Sequence, residues 1–121
     1  MGEWLAGQIS DFYHDGRSIL KIDGREVVVL RYNDRFYAIA NTCLHMGGPV
    51  GEGMLMGKVE AVLTEDNRCL GERFSEEEMH IVCPWHGWEY SLESGEFAGD
   101  RKRRLPTFEV TTRGDKVYVR A

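Results

Sequence analysis

Short apolar blocks and alternating apolar–polar stretches run along the chain, with Gly, Asp and Asn punctuating them at close intervals. Residues 18–22 (SILKI) and 25–32 (REVVVLRY) flank Asp23-Gly24, a dipeptide that tolerates the positive φ angles of a two-residue hairpin turn. Asn33-Asp34 turns the chain again into 35–40 (RFYAIA), and near the end 107–112 and 116–120 flank Arg113-Gly114-Asp115. Segments 59–65, 79–85 and 88–92 read as further strands. No window carries a long apolar period of 3.6 residues, so helix content is expected to be low. The pattern predicts an all-β fold, a small sandwich or barrel, with residues 1–121 as a single domain.

Composition narrows the partners. The chain has 121 residues, 42% of them hydrophobic, enough for a packed core. Its formal net charge of −5 argues against a nucleic-acid partner, which would call for a basic excess. No stretch has the apolar length of a bilayer span, and the first residues lack a basic region followed by an apolar one. The expectation is a cytoplasmic protein with no membrane partner. Three cysteines, an odd number, fit poorly with a disulfide framework; in a reducing compartment, closely spaced Cys and His point to metal.

Two segments carry that chemistry, CLHMGGP (43–49) with Cys43 and His45, and CPWHGWEY (83–90) with Cys83 and His86. The stretch 45–53 (HMGGPVGEG) holds four glycines and a proline, so the pairs belong in loops between strands. Glycines there let the backbone approach a bound centre and donate N–H groups to it. Two sulfur and two nitrogen ligands suit a tetrahedral structural zinc site. They equally suit a two-iron, two-sulfide cluster in which two imidazoles replace two of four thiolates. With four thiolates the oxidised cluster is a dianion; with two it is neutral, hence easier to reduce. The potential then rises to roughly −150 to +300 mV, against about −400 mV for the all-Cys cluster. The His-ligated iron is the expected electron acceptor, because imidazole suits the more reduced metal.

The paired motif, CLHMGG with IVCPWHGW, resembles the Rieske 2Fe–2S proteins, whose pattern is C-x-H followed by C-x-x-H-G. The resemblance covers most of the chain. It implies a Rieske-like small β-sandwich or barrel whose cluster-binding subdomain, about residues 41–92, is formed by two loops. Cys43 and Cys83 would bind one iron, and His45 and His86 the other. It further implies an electron carrier between a flavin-dependent NAD(P)H reductase and a terminal oxygenase. Rieske proteins of cytochrome bc-type complexes add one cysteine to each loop and join them in a disulfide; the matching positions here are Gly48 and Trp85. Those proteins also place a sulfide-donating serine where Trp88 stands, and a tyrosine that donates to the first cysteine where Tyr90 stands. Fewer donors to sulfur stabilise the reduced form less. The expectation is therefore the oxygenase-associated type, with a potential in the lower half of the family range.

Two alternatives stand beside this, a Rieske-like small subunit of a larger oxidoreductase such as nitrite reductase, and a zinc-stabilised binding module. His45 and Cys83 are separated by 37 residues, and about 56–78 reads as an insertion, either a β-extension or a flap. Only 35 residues follow His86, and no strand–G-x-G-x-x-G–helix unit is present, so the chain is not expected to be catalytic alone.

The remaining candidates receive plainer readings. Cys69 is expected to be a partly buried thiol outside the site. His14 lies in a polar turn and His80 is expected to face solvent on a strand, which leaves a two-His-one-carboxylate iron site unsupported. Trp85 and Trp88 are expected to pack around the second motif. The run Arg101-Lys102-Arg103-Arg104 could dock an acidic surface of a redox partner; its plainer reading, shared by the acidic 75–78 stretch, is a solvated loop, and Arg113-Gly114-Asp115 reads as hairpin punctuation.

Overall fold

The computed structural model describes residues 2–12, 16–32, 34–44, 47–85 and 87–121; along 58–63, at 70 and along 72–77 it describes the backbone. The fold is all-β, with two sheets. One has six strands, β1 (Glu3–Gln8), β2 (Arg17–Ile22), β3 (Arg25–Tyr32), β4 (Arg35–Ala40), β10 (Thr107–Arg113) and β11 (Lys116–Arg120), in the order β1-β11-β10-β4-β3-β2. Ser18 Oγ on β2 reaches the Ala6 carbonyl on β1 at 3.5 Å, so the sheet curls until its edges nearly meet, like a barrel. The other sheet runs β5 (Met54–Leu63), β6 (Cys69–Val82), β7 (Glu89–Ser91), β8 (Glu96–Phe97) and β9 (Asp100–Arg104) in chain order. Every strand pair is antiparallel.

The β2–β3 hairpin forms as expected, with Ile22 opposite Arg25 and positive φ at Asp23 and Gly24. The continuous Val27–Leu30 run has a simple cause. Successive side chains of a strand face opposite ways, and β3 is covered on both faces. Val27 and Val29 join a core with Phe12, Ile22, Ala38, Val117 and Val119. Val28 and Leu30 join a second core with Ile39, Val50, Ile81, Leu92, Leu105 and the thiols of Cys43 and Cys83. The second core lies against both sheets, and the cysteine loops close one side of it.

Several expectations change. The segment 56–78 lies within the long β5–β6 hairpin, which makes it a β-extension; Thr64 N–H donates to the Arg68 carbonyl at 2.9 Å across the turn, and Asn67 takes φ +64°. The 79–85 strand starts ten positions earlier, at Cys69, and stops at Val82, leaving Cys83 just beyond its end. Strands β1, β8 and β9 have no counterpart in the sequence reading, because each is short or polar and is defined by its partner rather than by its own pattern. The basic run is therefore a strand, not a loop. The turn at Arg113–Asp115 is hairpin punctuation as expected, with Arg113 opposite Lys116 and paired to Glu3 at 2.8 Å.

Candidate metal centre

The two cysteine loops are built alike. The Cys43 carbonyl accepts from Gly47 N–H at 2.9 Å, and the Cys83 carbonyl accepts from Gly87 N–H at 3.0 Å. The Cys43 N–H donates to the Gly48 carbonyl at 2.8 Å, and the Cys83 N–H to the Trp88 carbonyl at 2.7 Å. Gly47 and Gly87 both take φ +73°. Each loop is thus one tight turn, closed by a glycine in the left-handed region where a side chain would be strained. That is the physical reason each motif contains a glycine at the fourth position after its cysteine.

The loops meet at Gly48. A Cβ there would fall 2.8 Å from Cys83 Sγ and 3.0 Å from the Trp85 ring. At this contact the chain packs a bare backbone against an indole. Gly48→Ala is expected to force the loops apart and cost about 1–3 kcal/mol, read as a lowered thermal midpoint. Gly87→Ala, with nothing within 4 Å of its Cβ, should cost only about 1 kcal/mol, from backbone strain alone.

Cys43 and Cys83 are 4% and 1% exposed, and none of the three cysteines is in a disulfide. Tyr90, on β7 and fully buried, places its hydroxyl 3.1 Å from Cys43 Sγ. Leu44 N–H donates to the same hydroxyl oxygen at 3.0 Å. That contact occupies a phenolic lone pair and leaves the O–H proton to point at the sulfur. Burial, then the contact with Cys43, holds the Tyr90 phenol well above the usual tyrosine range, so the proton stays in place to donate. Tyr90 is brought to the loop by register, β7 lying beside β6 with Tyr90 opposite Ile81.

Two soft sulfur donors at adjoining turns, dry and closely approached by glycine backbone, fit a thiolate-bound metal centre. His45 and His86 lie outside the described residues, as do His14 and Asn33. Cys69 corrects its expectation. It is exposed at the start of β6, its thiol donating to the Gly71 carbonyl at 3.4 Å, outside the buried core that holds the other two. His80 does too: it is 3% exposed, with Nε2 3.3 Å from Glu78 Oε2 and Nδ1 3.2 Å from Glu89 Oε1, the latter at an angle unsuited to hydrogen bonding. Met79 and Ile81 of β6 pack on the second core, so His80 between them faces the other side of the sheet, buried there beside Glu78 and Glu89.

Sequence reading missed the residues that brace the first loop. Arg17 on β2 donates from Nη1 to the carbonyls of Gly51 and Gly53, each at 2.6 Å. Asn41 accepts from Gly51 N–H at 2.6 Å and donates to Glu26 at 3.1 Å. A glycine-rich loop has few side chains of its own to pack, so its backbone groups must be held from outside. The only sequence signal was the buried-type position of a polar Asn directly after β4. Trp85 is 57% exposed, with one side of its ring against Gly48, whereas Trp88 stacks on Phe97 with ring centroids 4.1 Å apart.

The Rieske 2Fe-2S domain model matches residues 3–109. Among curated relatives, the ferredoxin component of the alkene monooxygenase system of Xanthobacter autotrophicus is 22% identical over 111 residues, 92% of this chain and 75% of that protein. Human Apoptosis-inducing factor 3 is 29% identical over 100 residues; the match takes in 79% of this chain but only 13% of that protein. Among solved structures, one described as an NADPH nitrite reductase small subunit superposes with a TM-score of 0.74 at 20% identity, covering all of both chains. The ferredoxin of carbazole 1,9a-dioxygenase from Nocardioides aromaticivorans gives 0.69 at 21% identity, over 98% of this chain and 97% of that one. At such identities the structural likeness speaks for the fold.

Proposed function

The chain belongs to the Rieske 2Fe-2S domain family, and we propose that it is a one-electron carrier, the ferredoxin component of an oxygenase system. A 2Fe–2S cluster is the family's cofactor and this chain's. When bound, the cluster supplies one reversible electron. Residues 1–121 form one domain in this reading, with the cluster-binding part at about 41–92. The thiolates of Cys43 and Cys83 hold one iron, and the imidazoles of His45 and His86 the other. The observation that carries the reading is the pair of matched turns that buries Cys43 and Cys83 in one core beneath Tyr90.

The protein's own groups then set the potential. Tyr90 donates to Cys43 Sγ, drawing charge off the sulfur and favouring the reduced state. The bc-type cysteine pair is replaced by Gly48 and Trp85, and Trp88 stands where a serine donor would, so the potential lies in the lower half of the family range. Tyr90→Phe is expected to lower the potential and, by leaving Leu44 N–H without its acceptor, to cost about 1–3 kcal/mol. Voltammetry and a thermal melt on one sample check both; an unchanged potential would remove Tyr90 from the tuning of Cys43.

Electrons arrive singly from a flavin-dependent NAD(P)H reductase and leave to a terminal oxygenase. The Xanthobacter ferredoxin component and the carbazole dioxygenase ferredoxin support this assignment. The exposed Cys69 thiol suits a reducing compartment, and the cytoplasm is the location we assign. No helix among the described residues is long and apolar enough to cross a membrane. The second reading, a small subunit of a larger oxidoreductase such as nitrite reductase, is favoured by the full-length superposition on that subunit. It predicts a stable complex on purification.

The experiment is a spectrum of the protein purified without added metal, before and after dithionite, with iron and zinc counted in the same sample. A red-brown protein with about two irons per chain and a mixed His/Cys paramagnetic signal on reduction is expected. A colourless protein with zinc would overturn the electron-carrier reading.

A further inference from the structure

The four consecutive cations Arg101–Arg104 form most of β9, in a chain whose formal net charge is −5. β9 is the edge of its sheet, bonded only to β8, and all five of its residues are exposed. Its place in the fold gives it a neighbour of consequence. β8 sets Phe97 opposite Tyr90, Phe97 stacks on Trp88, and the Arg103 guanidinium lies 5.2 Å from the Trp88 ring centroid. The Trp88 carbonyl closes the Cys83 turn. The positive strand therefore stands one aromatic ring away from a cysteine loop whose Trp85 is 57% exposed.

Charged edges block sheet-to-sheet association, and that explains one or two cations. It does not explain four in succession, which repel one another. The carboxylate of Glu96 lies 3.3 Å from Arg104 and 4.0 Å from Arg101, and Asp100 accepts from Lys102 N–H at 3.1 Å, so the stripe is only partly neutralised. The side chains of Arg101 and Arg104 remain 60% and 61% exposed. Arginine and tryptophan together are the side chains over-represented where proteins dock.

We infer that β9, with Trp85 and Trp88, is the docking surface for the acidic face of a redox partner. The inference rests on the electron-carrier reading above. Charge placement gives it direction. The acidic remainder of the chain repels an acidic partner, while the stripe attracts it, so only the approach that brings the partner to the Cys83 loop is favourable. Orientation, not affinity alone, is what such a stripe supplies, since electron transfer requires the centres to face each other.

The test compares K102Q/R103Q with K21Q/K116Q, which removes the same charge from exposed sites on β2 and β11. Each cluster-loaded, reduced protein is mixed with anionic ferricyanide and, separately, with cationic hexaammineruthenium(III), across ionic strength. Binding to labelled poly-L-glutamate is followed by fluorescence anisotropy. The wild type should react faster with ferricyanide as salt is lowered, against the sign of its net charge. K102Q/R103Q should lose about three- to tenfold of that rate at low salt and most of the poly-glutamate binding, while K21Q/K116Q keeps both. Equal effects of the two variants, or a wild-type rate with ferricyanide that rises with salt, would overturn the docking surface. So would tighter binding to labelled single-stranded DNA than to poly-glutamate. A sample without a cluster spectrum would instead sink the electron-carrier reading, and the poly-glutamate comparison would still decide whether the stripe binds acidic chains.

Discussion

Replacing Cys83 or Cys43 by alanine is expected to yield a colourless protein, its iron falling from about two per chain to near zero. In the proposed site each thiolate is an anionic, directly bonded ligand, and alanine offers nothing in its place. No other cysteine can stand in, because Cys69 is exposed in the β5–β6 hairpin while Cys43 and Cys83 are buried in the core. The loss should also appear as stability. Metal bound only by the folded chain adds its binding free energy to folding, so both variants should melt well below the loaded wild type and close to the chelated one. The alanine itself removes little packing, since a buried cysteine acts as a small apolar side chain. Cys69→Ala provides the contrast, with colour, iron and melting unchanged. A Cys83→Ala protein that keeps its full iron would exclude Cys83 as a ligand.

The second large effect belongs to His86→Cys. Exchanging a neutral imidazole for a thiolate adds one negative charge at the metal centre without changing the ligand count. Reduction then adds an electron to a centre already more negative, so the potential should fall by at least about 100 mV, toward the roughly −400 mV of all-Cys clusters. The direction follows from charge and is independent of how the surrounding loop repacks. Voltammetry reads it directly, and the visible spectrum of the same sample shows whether a cluster is retained. An unchanged potential with an intact cluster would count against His86 as a ligand. Because Tyr90→Phe removes a hydrogen bond to sulfur and changes no charge at the centre, its shift should be the smaller of the two; the reverse order would mean that the Cys43 side of the centre dominates the potential.

Much of this was legible in the chain itself. The motifs at 43–49 and 83–90 are local, and their residue types at fixed short spacing specify donor chemistry before any fold is known. The hairpins at 18–32 and 107–120 are local too, since Asp23-Gly24 and Arg113-Gly114 encode their own turns. Tyr90 was legible only through resemblance, and the structure supplies its reason, a shared β6–β7 register that delivers the hydroxyl to Cys43.

What the sequence alone determined was thus the β class, the turns and the donor-type side chains that the two loops offer, each carried by residues within a few positions of one another. Only the tertiary structure decided what depends on partners far along the chain. Arg17 reaches Gly51 and Gly53 across 34 and 36 positions, His80 is buried where it meets Glu89 of the neighbouring β7, and four exposed cations become a strand because β8 offers them backbone partners. Side-chain periodicity says which residues share a face. It does not say what that face will meet, and burial, bracing and edge position are all properties of the meeting.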